Sequence, residues 1–465
     1  MWNKGLSYRE RHGLGHAGMN KVINTNVDDT LHTDTNASKH SLGLVFFPAF
    51  DWKISETHPE RQERLLYTRD QIVEEGLLDI PNIVEYNPIV ADWDTIERVH
   101  VGAPDLESWV TEAHRVSAGG AIAAADAVMR GEVDRAFALV RPPGHHAMSM
   151  VHGIRGFCTI NIEAVMIQHM RQTYGILRVA VVDTDVHHGD GSQDVFYHDP
   201  DTLYISFHQD GRTLYPGTGF MDEFGGPQAI GGNIDIPLPP GTGDEGLMKV
   251  MRELVLPILE EFNPDIVINS AGQDNHFSDP LANMQVTAKG YAELVDLLQA
   301  DIAVLEGGYS VQEALPYVNT GIILSMAGLD YSKVVEPAFD PVKYKQSQNV
   351  TAYIDDLIAK WKVQWANRHK MSEEERTGVG DIWSNRYNVY YDETGVQENA
   401  LKRCACTKIK LDGIAYFHMV NMDPMGHKVF MPCSFLGKLM RELVKMPLQR
   451  PNGLKQKPVQ AVMLW

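Results

Sequence analysis

Cysteine is scarce: Cys158, Cys404, Cys406 and Cys433 are the only four in 465 residues. That is too few for a disulfide framework in a chain this long, and it points to a reducing compartment. No apolar run approaches the roughly 20 residues needed to cross a bilayer. The N-terminus has no basic flank, hydrophobic segment and small-residue cleavage site in succession, so no secretory signal is visible. The expectation is a cytoplasmic protein without a membrane. Basic charge is also in deficit. Lys and Arg number 41 against 61 Asp and Glu, a formal net charge of -20. This excess of acid argues against direct nucleic-acid binding through a basic surface and suits a cationic ligand. Internal repeats and low-complexity tracts are absent.

What is present is a large core-forming fraction, 44% hydrophobic, enough for one large domain with extensions. Residues 1–40 are polar and aperiodic and read as a flexible arm. Residues 41–335 alternate short β-branched runs with helix-length segments. The runs are Leu42–Phe47, Ala136–Val140, Val179–Val182, Leu203–Phe207, Asp265–Asn269 and Ile302–Leu305; Ala118–Arg130 and Leu247–Phe262 are helical. Such alternation predicts an α/β fold with a mostly parallel sheet flanked by helices. Residues 336–465 read as an extension: a helix over 350–370, a charged linker at Met371–Thr377, and a small α+β appendage. An oligomer of identical chains is compatible with all of this, the arm and extension being candidate contacts.

Five of the strand runs are followed at once by polar, Gly-rich clusters: RPPGHHA, DTDVHHGDG, SFHQDG, SAGQDNHFSDP and LEGGYS. Parallel sheets bind ligands beyond the carboxyl ends of their strands. In the second cluster Asp183, Asp185 and His187 are spaced by two, so extended backbone would turn all three to one face. Two carboxylates and an imidazole together need a cation. Asp274, after another strand, is the candidate third ligand beside Asp185 and His187. An Asp/His/Asp set leaves a tetrahedral metal one open position, the catalytic arrangement. The adjacent His145 and His146 can act as general base and acid, with Asp183 and Asp190 the carboxylates available to orient them. A second metal-ligand pair is the alternative for these two. Tyr309, behind two glycines, can donate to an oxyanion, although a tyrosine after a strand is more often packing. Cys404, Cys406, His427 and Cys433 form a weak zinc pattern, and ordinary buried thiols are the better reading.

In their order, RPPGHHA, GFCTIN, DTDVHHGDGSQDVFY, SAGQDNHFSDPL and LEGGY resemble the zinc-dependent histone deacetylase superfamily, closer to class II and to bacterial deacetylase-like and acetylpolyamine amidohydrolases. The match covers about residues 42–330. The resemblance implies an arginase/deacetylase-like fold, catalytic Zn2+ on Asp185, His187 and Asp274, and a catalytic pair His145 and His146 backed by Asp183 and Asp190 respectively. Tyr309 would polarise the carbonyl. Phe157 and Tyr215 would wall a narrow channel, with Gly156 beside them and Leu281 at its mouth. A structural K+ would fall on Asp183, Asp185, His187, Ser206 and Phe207. The sequence departs from the family pattern at Tyr215, usually Phe, and at Gln273 and Asn275, which puts packing around the third ligand in question.

The function so implied is hydrolysis of an acyl amide on a lysine side chain or similar amine, releasing carboxylate and free amine. Rival expectations are an acetylpolyamine or other small-molecule amidohydrolase, a catalytically silent acyl-lysine reader, and a binuclear manganese enzyme of the arginase type.

Overall fold

The computed structural model describes residues 39–372 except 103, 177 and 227, the backbone of the helix that continues to Thr377, and the backbone of four further strands between residues 383 and 432. Eight parallel strands form the central sheet: β1 (Leu42–Phe47), β2 (Ile83–Tyr86), β3 (Arg135–Val140), β4 (Val179–Asp183), β5 (Thr202–Gln209), β6 (Asn233–Leu238), β7 (Ile266–Ala271) and β8 (Ile302–Leu305). Their order across the sheet is β2-β1-β3-β8-β7-β4-β5-β6. Every residue of β3, β4, β5, β7 and β8 is buried. Both faces are covered, which is why Ala136–Val140, Val179–Val182 and Ile302–Leu305 are apolar throughout rather than alternating.

The covering helices are α1 (Glu63–Glu74), α2 (Glu112–Met129), α3 (Ile162–Tyr174), the short α4 (Asp190–Phe196), α5 (Asp244–Val250, continued through a widened turn into Leu256–Phe262), α6 (Ala288–Leu298) and α7 (Leu315–Ala327). On one face, the alanine-rich side of α2 packs with α3 against Val140, Val181, Ile268 and Val304. On the other, α5, α6 and α7 enclose Phe137, Val182, Ile205 and Leu305. Two caps fix where helices begin: the Asn161 side chain accepts from the Ala164 N–H at 2.8 Å and the Thr287 hydroxyl from the Gly290 N–H at 3.0 Å. Each such cap contributes about 1 kcal/mol.

One further helix, α8 (Gln348–Thr377), runs 30 residues. Its Ile354, Leu357, Ile358 and Trp361 are buried in the same core as α5–α7. The Met371–Thr377 stretch, expected as a linker, continues this helix: Met, Glu and Arg are good helix formers, and charge density alone does not break a helix. Beyond it, β9 (Trp383–Tyr391), β10 (Gly395–Cys404), β11 (Ala415–Met422) and β12 (His427–Pro432) form an antiparallel sheet in that order. The expected zinc or thiol cluster of Cys404, Cys406, His427 and Cys433 depends on side chains outside the described residues. So does nearly all of the N-terminal arm. Among the described residues no helix is long and apolar enough to cross a membrane.

Candidate active site

The strands β3, β8, β7, β4 and β5 are neighbours in the sheet, so the five polar clusters converge at one edge. β4 ends at Asp183, and the chain then turns. The expectation that Asp183, Asp185 and His187 share one face therefore fails at Asp183, because the strand periodicity stops there. Its carboxylate turns to the Tyr204 hydroxyl (2.7 Å) and the His145 Nδ1 (3.1 Å), while its other oxygen accepts from the Asp185 N–H at 3.0 Å.

Asp185, His187 and Asp274 do come together. The His187 Nδ1 lies 3.1 Å from Asp185 Oδ1 and 3.0 Å from Asp274 Oδ2, and one donor atom from each residue falls within 4.8 Å of the others. The carboxylates are also held by backbone: His187 N–H and Gly307 N–H donate to Asp185 at 2.8 Å each, and Val186 N–H donates to Asp274 at 2.8 Å. Two glycines make the cradle. A Cβ on Gly272 would sit 2.1 Å from Asp185 Oδ2, and one on Gly307 would sit 2.4 Å from Asp274 Oδ2. Burial pushes Asp274 up, and the neighbouring Asp185 adds to it. Burial acts against His187 too, but Asp274 and Asp185 outweigh it and raise the imidazole to about 10. The pocket thus binds positive charge strongly. A proton meets that demand, and so does a divalent cation. The three donors fit Zn2+ in kind and number. The polar replacements around the third ligand are accommodated: the Gln273 amide donates to Asn319 of α7, and the Asn275 side chain donates to the Thr184 carbonyl at 2.8 Å.

The paired imidazoles stand beside this set, with ring centres 4.1 Å apart. The Glu306 carboxylate fixes their loop by accepting from the Gly144 and His145 N–H groups at 2.6 and 3.0 Å. His146 Nδ1 lies 2.9 Å from Asp190, and Asp190 is paired with the buried Arg155. The two rings are driven apart electrostatically. Burial opposes charge on His145, but Asp185 and Asp183 outweigh it and push that ring well above its ordinary value. Burial and the adjacent His145 push His146 down to about 3.

A cavity of about 310 Å³ opens onto the centre, lined by His146, Gly156, Phe157, His187, Leu214, Tyr215, Leu281 and Tyr309. All four expected channel residues line it, together with Leu214, which sequence reasoning missed. Phe157 has φ +69°, a left-handed conformation that costs a non-glycine residue of order 1–3 kcal/mol and clusters at functional sites. Its ring meets Tyr309 edge-on at 5.5 Å. The Tyr309 backbone N–H donates to Asp279 at 2.7 Å. Burial pushes the Tyr309 hydroxyl well above its ordinary range, so it stays a donor. Beneath it runs a network that sequence spacing did not reveal. Arg64 donates to the Gly308 carbonyl at 2.7 Å and to Glu60 at 3.1 Å, and Arg141 grips the same Glu60 at 2.7 and 2.6 Å.

Ser206 and Phe207, expected with Asp183 at a cation site, lie on β5, where Ser206 is the register partner of Asp183. The Ser206 hydroxyl is within hydrogen-bonding distance of His208 Nδ1, at 2.9 Å.

Comparison with known proteins agrees with this geometry. Residues 104–324 match the histone deacetylase domain. A probable deacetylase of Archaeoglobus fulgidus is 44% identical over 323 residues, 63% of this chain and 89% of that protein. The histone deacetylase-like amidohydrolase of Pseudomonas aeruginosa is 38% identical over 244 residues, 50% of this chain and 63% of that protein. The acetoin utilization protein AcuC of Bacillus subtilis is 32% identical over 335 residues, 63% and 84% of the respective chains. Among solved structures, the HDA15 HD domain superposes with a TM-score of 0.61 at 27% identity, covering 72% of this chain and 98% of that one. With a parallel sheet of the arginase/deacetylase type, and with the archaeal and Bacillus relatives matched over 89% and 84% of their length, this chain belongs to the histone deacetylase family.

Proposed function

We propose that the protein is a zinc-dependent deacetylase that hydrolyses an acyl amide on a lysine side chain or similar amine. The observation that carries this reading is the donor set Asp185, His187 and Asp274 at the floor of a channel whose walls are aromatic and aliphatic. Zinc held there would polarise the amide carbonyl and acidify a water molecule.

The chain's own groups supply the rest. The channel holds an extended alkyl chain between Phe157 and Tyr215, placing the amide against the floor. His146 is the neutral ring at physiological pH, with its Nδ1 taken by Asp190. Its other nitrogen is therefore the one that removes the water proton and later passes it to the departing amine. His145, its Nδ1 held by Asp183, stands beside the developing oxyanion, where Asp183 supports positive charge on the ring. Tyr309 donates its hydroxyl to that same oxygen. The products are a carboxylate, usually acetate, and a free amine. A structural potassium ion at Asp183, Asp185, His187, Ser206 and Phe207 belongs to the same reading, supported by the buried carboxylate of Asp183 beside Ser206.

The channel lining favours acyl-lysine over acetylpolyamine. None of its eight lining residues carries a carboxylate, so a polyamine's remaining ammonium groups would find no counter-charge in the wall. The test compares kcat/KM on an acetyl-lysine peptide and on acetylputrescine, using zinc-loaded protein. We expect the peptide to be preferred. A preference for acetylputrescine would move the assignment to small-molecule amidohydrolase. Tight binding of both without turnover would make the protein a reader.

A further inference from the structure

Gln209 is buried, ends strand β5, and lines no part of the cavity. Its three polar groups reach three different loops. The backbone N–H donates to the Val186 carbonyl at 2.8 Å, between the metal-site residues Asp185 and His187. The side-chain oxygen accepts from the Asn283 N–H at 2.9 Å, two residues from Leu281. The side-chain amide donates to the Thr213 hydroxyl at 3.1 Å, next to Leu214 and two residues from Tyr215. One side chain therefore ties together two loops that line the channel, the one carrying Leu281 and the one carrying Leu214 and Tyr215, and its backbone ties both to the floor.

The neighbouring residues reinforce the joint. The Asp210 carbonyl accepts from the Thr213 N–H and hydroxyl, each at 2.8 Å, closing the turn that carries Leu214. Arg212 folds back on Asp210 and donates to the Tyr353 hydroxyl of α8 at 3.1 Å. The wall is thus anchored to a helix beyond the segment that matches the deacetylase domain.

We propose that Gln209 is the positioning residue that sets the width of the substrate channel, holding the Leu214–Tyr215 wall in fixed register with the Leu281 mouth and the floor, so that its distance from the Phe157 wall does not drift. This rests on the deacetylase reading for its substrate and on hydrogen bonds alone for its mechanics. A primary amide suits the task because it offers one acceptor and one donor on a planar head, and each is used on a different wall. A buried amide with both groups satisfied fixes geometry more firmly than apolar contact, since slipping would leave a buried polar group unpaired.

The experiment uses the full chain and two variants: Gln209→Met, which keeps volume and removes both of its side-chain bonds, and Thr213→Val, which removes the bond from the Gln209 amide together with the hydroxyl's bond to the Asp210 carbonyl but leaves the Asn283 bond intact. Hydrogen exchange reads the joint itself. Exchange of the Asn283 amide and of residues 210–217 is expected to accelerate in Gln209→Met, with β3, β7 and β8 unchanged. Selectivity reads the width: kcat/KM for a peptide bearing acetyl-lysine is divided by that for the same peptide bearing acetylated 4-aminomethylphenylalanine, whose linker is broader. In Gln209→Met this ratio is expected to fall by about tenfold, carried by KM rather than kcat, the scale on which small changes of pocket shape discriminate substrates. Thr213→Val should shift it in the same direction and less. Loosened loops with an unchanged ratio would overturn the proposal, because Gln209 would then be merely structural. Unchanged exchange would overturn it as well, since the joint would not depend on Gln209. If Gln209→Met fails to fold, Thr213→Val decides by the same two readouts. Wild-type protein inactive on either peptide would instead count against the deacetylase reading, with the exchange result still reporting on the joint.

Discussion

Asp185, His187 and Asp274 on one side, and His145, Cys158 and Glu306 on the other, are two buried sets of three donor side chains, each with one donor atom per residue within 4.8 Å of the others. Judged by proximity alone they are equivalent. Their electrostatics differ. The first joins two carboxylates to one imidazole, and its charge demand is strong enough to lift His187 to about 10. The second has a single carboxyl, Glu306, already committed to the Gly144 and His145 N–H groups and raised to about 7 by burial. Its thiol is pushed well above the ordinary cysteine value by burial and by Glu306, so it holds the proton that a metal ligand must lose. Its imidazole is turned to Asp183. Access differs too: His187 lines the cavity, whereas Cys158 and Glu306 do not. A metal site needs surplus negative charge and an approach, and clustering supplies neither.

The sharpest way to break this comparison is to remove one ligand from each set. Asp274→Asn should lose bound zinc, measured by elemental analysis, and lower kcat/KM by well over about a hundredfold, since altering even an outer partner of a ligand costs 10–100-fold. Cys158→Ala should keep zinc at wild-type stoichiometry. Zinc lost from the cysteine variant and kept by the aspartate variant would reverse the assignment. A smaller effect separates floor from wall. Tyr309→Phe should retain zinc and KM while kcat falls about 10²–10³-fold, the worth of one oxyanion donor. An unchanged kcat would leave Tyr309 as packing for Phe157 and for the Arg64 guanidinium, which lies 5.0 Å from its ring centre.

The same contrast explains how much could be read in advance. The five clusters were legible because parallel strands deliver their following loops to one edge, and each cluster is local in sequence. The partnership of His145 with Asp183 and of His146 with Asp190 followed from the resemblance, and the structure places those pairs at 3.1 and 2.9 Å. What sequence did not show depends on contacts between distant segments: Arg141 with Glu60, Arg64 with Gly308, and Gln209 with Asn283 are separated by 81, 244 and 74 residues. Leu214 was missed because an aliphatic residue in a loop carries no chemical signature. The docking of α8 on the main core was missed for another reason: Ile354, Leu357, Ile358 and Trp361 stand at i, i+3, i+4 and i+7, a stripe that announces a buried face without saying what covers it.

The mildest effect sharpens the comparison by leaving the site altogether. His187 faces carboxylates, whereas His100 faces peptide groups: its Nδ1–H donates to the Met148 carbonyl at 2.9 Å and its Nε2 accepts from the Asn161 N–H at 2.8 Å. Burial pushes this ring down to about 4 from 6.5, outweighing the Met148 carbonyl and the charge of Asp194, which act upward. The folded value lies below the unfolded one, so between about pH 6.5 and 4 the unfolded chain binds a proton that the folded chain refuses. The stabilising contribution is complete above pH 6.5 and is lost as pH falls through that window, by about 1.4 kcal/mol per pH unit. Denaturant unfolding of the wild type and of His100→Gln, compared from pH 7 down to pH 4, should show the variant with the shallower loss, even if it is less stable at neutrality. Parallel curves would mean that His100 accepts its proton in the folded state. Peptide groups and the charge of Asp194 would then suffice to hold a buried imidazolium, and the contrast drawn between the two donor sets would weaken.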